Sequence, residues 1–286
     1  MFEQALIWYA RRFPFSRGKL RVIDALWPLA GGRRGHQRTA ALVYGNLRMP
    51  CDVRDMLQRQ FYFFGTYYLE RDLLACWSVL AAEAQVIFDV GANAGIYSLA
   101  ALAANPQATV HAFEPTPETA ERLRVTAELN HLNQLNVQEV AVSDRVGEAS
   151  LVRCRGDRGN NDGMNYISTM RSGADELVAT TSLDQFCLER AIRRIDLLKL
   201  DIQGHEAEAL AGAKEILGGG CVRTVFVELN WATPGTATCP ATRTVGILEE
   251  AGFVFAQPTT DALVWSKAGP WLRQMSDVIA RTRSEP

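Results

Sequence analysis

Carboxylates that end successive apolar runs are the residues of this 286-residue chain best placed to do chemistry. They are Asp89, Glu114, Asp144, Asp201 and Glu228, and the runs before them read as short strands. If these strands lie in one open α/β sheet, their carboxyl ends meet at the edge where such sheets bind ligands. Burying that much negative charge without a cation or hydrogen-bond donors is costly. The pattern therefore predicts a site for a positively charged or hydroxyl-rich ligand.

A glycine-rich turn follows the first of these strands, where the chain reads VIFDVGANAGIYSLAAL over 86–102. A strand, a tight turn and a helix form the first unit of an open α/β sheet. The turn, D-V-G-A-N-A-G, lacks the third glycine of the G-x-G-x-x-G dinucleotide motif. Its acid is unfavourable beside phosphates but suits an ammonium or sulfonium. We therefore predict that Gly91, Asn93 and Gly95 bind a cationic amino-acid cofactor.

Three of the acids can be given roles in holding such a cofactor. Glu114 lies 19 residues after Gly95, at the end of the second strand. A carboxylate there can accept two hydrogen bonds from a ribose diol, as in dinucleotide sites. Asp144, after A-V-S, is placed to accept from an adenine amino group. Asp89 would orient the glycine turn or meet an ammonium.

A hydroxyl acceptor needs help from a base, and three residues are candidates. His205 follows Gly204 at the start of a predicted helix, whose positive end favours the neutral imidazole. Asp201 and Glu228 compete for the same role. These two carboxylates are also candidate Mg²⁺ ligands, although we favour a site without metal.

The elements that must position these residues alternate along the chain. We predict a strand over the apolar run 86–88 that ends at the acid Asp89, and further strands at 109–113, 136–142, 196–202 and 224–230. A strand pair is predicted at 253–256 and 262–265, and helices at 117–131, 182–191, 205–217, 241–251 and 270–283. Residues 145–180 read as a β-rich excursion with a mobile loop. The alternation predicts an α/β fold with a mainly parallel sheet and helices on both faces.

The first 80 residues differ in character, and we predict a helical, Arg-rich extension at 1–80 before a cofactor-binding catalytic domain at 81–286. Residues 1–50 carry a net charge of +7 and the remainder −9. The tract at 31–38 reads as a loop. This basic segment packs on the main domain, meets a second copy of the chain, or contacts an anionic membrane or lipid-linked glycan. An aromatic cluster at 61–69, followed by Glu70, forms core or a lid over the site.

Composition limits the remaining choices. The chain is 48% hydrophobic and 22% charged, with a net charge of −2 that gives no overall attraction to nucleic acid. Its six cysteines are scattered without a C-x-x-C pair, which predicts a reducing, cytoplasmic location. No apolar run approaches the ~20 residues of a membrane span.

Five motifs in order resemble the FkbM family of S-adenosylmethionine-dependent methyltransferases. They are D-V-G-A-N-A-G, F-E-P, A-V-S-D, the run at 181–217 and VFVELN, and the likeness covers roughly 60–256. The resemblance implies a class I methyltransferase fold, with a Rossmann-like seven-stranded sheet whose last strand is antiparallel. It also implies methyl transfer from S-adenosylmethionine to a hydroxyl of a sugar, glycan or polyketide-type product. Gln203 departs from the family, which usually has an acid there, and this puts a metal role in doubt.

Two other functions stay open from the sequence. An NAD(P)-dependent oxidoreductase is disfavoured by the missing third glycine and by the lack of a Tyr-x-x-x-Lys pair. A non-catalytic partner subunit that keeps the cofactor fold is consistent with the change at Gln203. Methylation of nucleic acid is disfavoured by the acidic core and the lack of an Asn-Pro-Pro-Tyr motif.

Overall fold

A computed structural model describes residues 2–13, 17–31, 36–153, 155–156, 159–160, 165–168, 176–228, 240–256 and 262–267. The helices are α1 Phe2–Arg12, α2 Arg17–Gly31, α3 Met56–Phe64, α4 Arg71–Ala82, α5 Ile96–Ala104, α6 Pro117–Leu129, α7 Leu183–Glu189, α8 Glu206–Ala211, α9 Lys214–Gly218 and α10 Pro240–Glu250, with a 3₁₀ turn at Tyr68–Glu70. The strands are β1 Gln37–Ala41, β2 Arg48–Asp52, β3 Val86–Val90, β4 Thr109–Phe113, β5 Leu135–Gln138, β6 Ala141–Val142, β7 Gly147–Val152, β8 Arg155–Gly156, β9 Gly159–Asn160, β10 Tyr166–Ser168, β11 Glu176–Thr181, β12 Ile195–Leu200, β13 Val222–Glu228, β14 Phe253–Ala256 and β15 Ala262–Lys267.

The central sheet has seven strands in the order β14-β15-β13-β12-β3-β4-β5. The five strands from β13 to β5 pair in parallel, and β15 runs antiparallel to both of its neighbours. Alternation along β3 separates two apolar cores, since Ile87 faces one and Phe88 faces the other. The structure thus confirms the predicted α/β fold with a mainly parallel sheet and helices on both faces.

Two predicted elements, a strand and a helix, are each divided in the structure. The strand predicted at 136–142 divides, because the chain turns at Glu139 and Ala141–Val142 pairs instead with β11. The helix predicted at 205–217 also divides into α8 and α9. The carboxylate of Asp184 accepts hydrogen bonds from the backbone N–H groups of Glu215 and Ile216, both at 3.0 Å, and so caps a new helix start.

The excursion after β6 is β-rich, as predicted. Strands β7 and β11 pair antiparallel and join β10 and β6 in a four-stranded sheet. The centre of the predicted mobile loop, the end of the VFVELN motif and the predicted tail helix at 270–283 lie outside the described residues.

The N-terminal segment is not wholly helical, so the prediction for 1–80 is wrong at 37–52. Strands β1 and β2 form an antiparallel hairpin there, which extends into the tract predicted as a loop. Their buried residues alternate, with Ala40 on one strand and Met49 and Cys51 on the other, a period of two that the sequence already contained. The guanidinium of Arg11 donates to the backbone carbonyls of Ala41, at 2.8 Å, and Phe63, at 3.2 Å, and thereby ties α1 to the hairpin and α3.

None of the helices in the described residues combines the length and the apolar character that a membrane crossing requires.

Candidate functional site

A cavity of about 350 Å³ opens at the carboxyl ends of β3, β4, β12 and β13. The glycine turn after β3 and the segments that follow β4 and β12 form its floor, while α3, the 3₁₀ turn and β10 form its other walls. The N-terminal segment and the sheet therefore build one site together. Of the sequence-predicted residues, the cavity is lined by Gly91, Asn93, Glu114, Asp201 and Glu228.

The two glycines of the turn are required by packing. Both have a positive φ, +76° at Gly91 and +85° at Gly95. A Cβ on Gly91 would overlap the carbonyl oxygen of Asp201, and one on Gly95 would overlap the side chain of Leu123. Glycine thus lets the turn pass close to the end of β12 and lets α5 start against α6.

Backbone N–H groups of this turn are already engaged within the chain. Those of Gly91 and Ala92 donate to the carbonyl of Phe113, and that of Asn93 donates to Glu114 Oε2 at 3.0 Å. A phosphate ligand needs such groups as donors. The turn is therefore shaped as a wall of the cavity rather than as a phosphate cradle.

Glu114 is held in a fixed position where β4 ends. Its Oε1 accepts from the backbone N–H of Thr116 at 2.9 Å, while Oε2 accepts from Asn93, and only 7% of the residue is exposed. These two bonds fix the carboxylate on the wall of the cavity, where a ligand hydroxyl can approach it.

Asp89 lies beneath the cavity and is completely buried. Its Oδ2 accepts from the hydroxyl of Ser98 at 2.7 Å, and its Oδ1 lies 3.6 Å from the Nζ of Lys199. Asp89 therefore connects the start of α5 to Lys199 near the carboxyl end of β12, and the structure places it below the surface that a ligand would touch.

Asp201 and Glu228 form a coupled acid pair. The Nζ of Lys199 lies 3.1 Å from Asp201 Oδ2, and the amide of Gln203 donates to both acids, at 3.1 and 3.3 Å. Burial opposes ionisation of Asp201, but the charge of Lys199 and the bond to Glu228 keep its pKa below the usual value. The charge of Asp201, together with burial, raises the pKa of Glu228 to about 10. At neutral pH one proton therefore stays on Glu228.

Glu70 adds a third carboxyl to this end of the cavity. Its Oε2 accepts from the hydroxyl of Tyr97 at 2.7 Å, and the hydroxyl of Tyr67 is bonded to the same carboxyl. Burial and the nearby charge of Asp201 raise the pKa of Glu70 to about 7. The side chain is therefore divided between its acid and carboxylate forms at neutral pH.

His205 and Asp144 belong to a different cavity, of about 310 Å³, beside β7. The Nε2 of His205 lies 2.9 Å from the hydroxyl of Ser143, and burial lowers the pKa of the imidazole. The left-handed conformation of Gln203, with φ of 55°, and of Gly204, with φ of 100°, precedes this turn of the chain. The structure thus separates His205 and Asp144 from Asp201 and Glu228, which line the first cavity.

Sequence reasoning gave no role to Lys199 and Tyr97, and it placed Tyr67 and Glu70 only in a segment that forms core or a lid. Lys199 carried a usable signal, because a lysine inside a mainly apolar central strand must find an acidic partner. Glu70 and the tyrosines gave no such signal, since their meeting depends on how the 3₁₀ turn and α4 pack against α5.

Within the part of the chain that the structure describes, no group of three or more His, Cys, Asp or Glu side chains is arranged to hold a metal ion. The ammonium of Lys199 instead occupies the position next to Asp201 that a cation would take.

Comparison with known families gives one match that covers most of this site. The model of the methyltransferase FkbM domain matches residues 89–255, more than half of the chain. The matched span starts at Asp89 and takes in the glycine turn, Glu114, Asp201 and Glu228. It does not include Tyr67 or Glu70.

Three curated proteins are similar over about half of the chain. The 2-O-methyltransferase NoeI of Sinorhizobium fredii is 32% identical over 54% of this chain and 66% of its own length. The 31-O-demethyl-FK506 methyltransferase FkbM of Streptomyces tacrolimicus is 31% identical over 46% and 60%. The hexuronic acid methyltransferase AglP of Haloferax volcanii is 27% identical over 56% and 62%. The chain therefore spans slightly less than two thirds of the length of each relative.

Proposed function

The chain belongs to the methyltransferase FkbM family, and we propose that it is an S-adenosylmethionine-dependent O-methyltransferase acting on a hydroxyl of a sugar, glycan or polyketide-type natural product. The observation that carries the proposal is the acid-lined cavity at the carboxyl ends of β3, β4, β12 and β13. Relatives named as methyltransferases of a 2-hydroxyl, of a demethylated FK506 and of a hexuronic acid support the reaction class. We also propose that the seven-stranded sheet is the class I methyltransferase fold.

The cavity suits S-adenosylmethionine in size and charge. Ligand sites have volumes of about 300–1,000 Å³, and this cavity has about 350 Å³. Glu114 would accept from the ribose diol, and the turn at Gly91, Asn93 and Gly95 would lie against the ligand. Asp89 would act indirectly, by holding the turn. When bound, the cofactor supplies an activated methyl group, so the protein mainly has to position the acceptor.

The adenine role proposed for Asp144 requires the ligand to extend towards the second cavity. Ile167 lines both cavities, and β10 therefore separates them along one wall. A shift of β10 would join the two spaces, and Asp144 would then meet the adenine amino group.

The acceptor end of the cavity disfavours an anionic acceptor. Asp201 is ionised there, Glu70 is partly ionised, and α3 contributes the apolar Phe61 and Met56. A carboxylate or phosphate on the acceptor would be repelled by these charges. We therefore propose an uncharged sugar or polyketide hydroxyl, although one relative is named for hexuronic acid.

Two rival functions make different predictions from the methyltransferase proposal. A dinucleotide oxidoreductase would need the N–H groups of Gly91, Ala92 and Asn93 for its pyrophosphate, and these are engaged inside the chain. A non-catalytic subunit would bind the cofactor without transferring its methyl group. The methyltransferase proposal includes no Mg²⁺, since Lys199 lies beside Asp201.

Other parts of the proposal concern the surroundings of the site. We propose a catalytic unit from residue 81 onwards and an N-terminal unit before it whose residues 56–70 complete the cavity wall. From its charge, we propose that the basic N-terminal segment contacts a membrane or a second copy of the chain. From the cysteine content, we propose a cytoplasmic location. Four described cysteines are free thiols, which suits a reducing compartment.

Calorimetric titration with S-adenosylhomocysteine tests the cofactor, and transfer of a labelled methyl group tests the reaction. The acceptor panel holds neutral methyl glycosides, methyl glycosides of uronic acids and hydroxylated macrolides. We expect micromolar binding and transfer to a neutral hydroxyl. Binding without transfer to any member would favour the partner subunit, and a folded protein that binds no S-adenosylhomocysteine would refute the proposal.

A further inference from the structure

We propose that Glu70, from the N-terminal segment, is the catalytic base that takes the proton from the acceptor hydroxyl. This inference rests on the proposed methyl transfer and adds a residue outside the span that matches the family. It comes from the position of Glu70 on the cavity wall and from the bonding of every other described acid there.

The geometry holds Glu70 in place while leaving acceptor capacity. The hydroxyls of Tyr97 and Tyr67 bond to its carboxyl, the former at 2.7 Å. Tyr97 is itself packed edge-on against Trp77, whose ring centroid lies 5.5 Å away. Two donors occupy about half of the acceptor positions of a carboxylate. The remaining positions can receive the hydrogen of a ligand hydroxyl in the cavity.

The two acids predicted from sequence are poorly suited to this task. Asp201 already accepts from Lys199 and Gln203, and these donors stabilise its charged form. A carboxylate stabilised in this way has little affinity for another proton. Glu228 is protonated at neutral pH and cannot accept a proton.

The other predicted acids and His205 are placed for different work. His205 bonds to Ser143 in the second cavity. Glu114 uses both oxygens to hold backbone N–H groups at the end of β4. With strands about 4.8 Å apart, three strand spacings from β4 to β13 separate Glu114 from Glu228 by about 14 Å across the sheet. The base therefore comes from the end of the cavity formed by Glu70, Asp201 and Glu228.

The proposed methyl transfer accounts for every atom, electron pair and proton without another reactant. The acceptor oxygen gains the methyl group and loses its hydrogen as a proton to Glu70, so the hydroxyl becomes an ether. The carbon–sulfur bond breaks with its electron pair left on sulfur, which becomes a neutral thioether. The carboxylate becomes a carboxylic acid and returns its proton to water after product release.

The charges around Glu70 suit a base that works near neutral pH. Asp201, from the end of β12, raises its pKa, whereas Lys199 and the two tyrosine hydroxyls lower it. Glu228, from β13, is protonated and adds no full charge. With burial the balance gives a pKa of about 7, near the optimum for general base catalysis.

Sinefungin provides a test that needs no acceptor, since this analogue carries a protonated amine where S-adenosylmethionine carries its sulfonium methyl. We expect wild type to bind sinefungin at least tenfold more tightly than S-adenosylhomocysteine at pH 8. The preference should fall as pH drops through 7 and Glu70 gains its proton. Glu70→Gln should reduce the preference at pH 8 at least fivefold and change S-adenosylhomocysteine binding less than threefold.

Matched variants make each outcome decisive. Glu70→Asp keeps a carboxylate and should keep part of the preference, whereas Asp72→Asn changes an exposed acid nearby and should leave it unchanged. A sinefungin preference that is absent in wild type, or unchanged in Glu70→Gln, overturns the inference. So does a tenfold loss of S-adenosylhomocysteine binding in Glu70→Gln, because Glu70 would then hold another part of the cofactor. Wild type that binds neither ligand refutes the methyltransferase proposal itself.

Discussion

Replacement of Glu114 by Gln tests both the architecture of the glycine turn and the proposed cofactor site. The carboxylate accepts from two backbone N–H groups, those of Asn93 at 3.0 Å and Thr116 at 2.9 Å. The amide of Gln has one acceptor oxygen, so its NH₂ group would face one of these N–H donors. The variant keeps the size of the side chain and removes one bond together with the charge.

The expected losses of stability and of cofactor affinity follow from these bonds. A hydrogen bond to a charged group contributes about 1.5–3 kcal/mol, and solvent in the cavity can replace part of it. We expect Glu114→Gln to lower the free energy of unfolding by about 2 kcal/mol, measured by urea denaturation. Loss of a diol acceptor should also weaken S-adenosylhomocysteine binding about 10- to 30-fold, measured by calorimetry at a temperature where the variant is folded.

A control on the next helix separates these effects from a general change of charge. Glu121→Gln alters an acid on α6 that is 65% exposed and pairs with Arg124, and it should change stability by less than about 0.5 kcal/mol. If Glu114→Gln is as stable as wild type, the turn does not depend on this carboxylate. If it is destabilised but binds S-adenosylhomocysteine normally, Glu114 is structural and the ribose role is refuted.

Three further substitutions test the supports of the site by chemical denaturation. Gly95→Ala should cost about 2–4 kcal/mol, because it adds left-handed strain and an overlap with Leu123. Asp196→Asn should cost about 1–3 kcal/mol, because Asp196 Oδ2 accepts from the two backbone N–H groups that open β3, at 2.9 and 3.1 Å. Glu228→Gln should leave stability nearly unchanged at pH 5 and raise it relative to wild type at pH 8. The folded-state pKa of Glu228 is raised by Asp201, so wild type loses stability as pH rises above the unfolded value near 4.5 and Gln does not.

Each substitution has a control of the same chemistry. Gly220→Ala introduces left-handed strain, with φ of +73°, at a position where a Cβ meets nothing within 4 Å, so it should cost only about 1–2 kcal/mol. Equal losses in the two glycine variants would contradict the overlap with Leu123. Asp72→Asn and Glu189→Gln change exposed acids and should be nearly neutral at both pH values. A Glu228→Gln variant whose stability follows wild type from pH 5 to 8 would contradict the raised pKa of Glu228.

Much of the sheet could be predicted because its signals are local. The apolar run TVHAF occupies β4 with the predicted bounds, and Pro117 opens α6 as expected for a first helical position. Ser182 caps α7 by accepting from the backbone N–H of Gln185. These features depend on residues within a few positions of each other, and the sequence displays them directly.

The direction of side chains at the strand ends depends on distant contacts and could not be predicted. Asp89 and Asp201 both lie at the carboxyl ends of buried strands, yet Asp89 points to Ser98 under the cavity and Asp201 lines it. His205 lies only four residues after Asp201, but the left-handed turn before it directs the chain to Ser143. Glu70 reaches the site because α4, which follows the 3₁₀ turn, packs against α5, and a single sequence does not reveal that contact.

The attachment of the N-terminal segment has a consequence for protein engineering. Arg11 fastens α1 to the end of α3, and the chain then continues directly into the 3₁₀ turn that carries Glu70. A chimera that exchanges this segment between relatives would replace an apolar wall and a carboxyl of the same cavity in one step. Recombination at residue 84, just before β3, therefore offers a way to vary acceptor recognition while the sheet, Glu114 and the glycine turn are inherited intact.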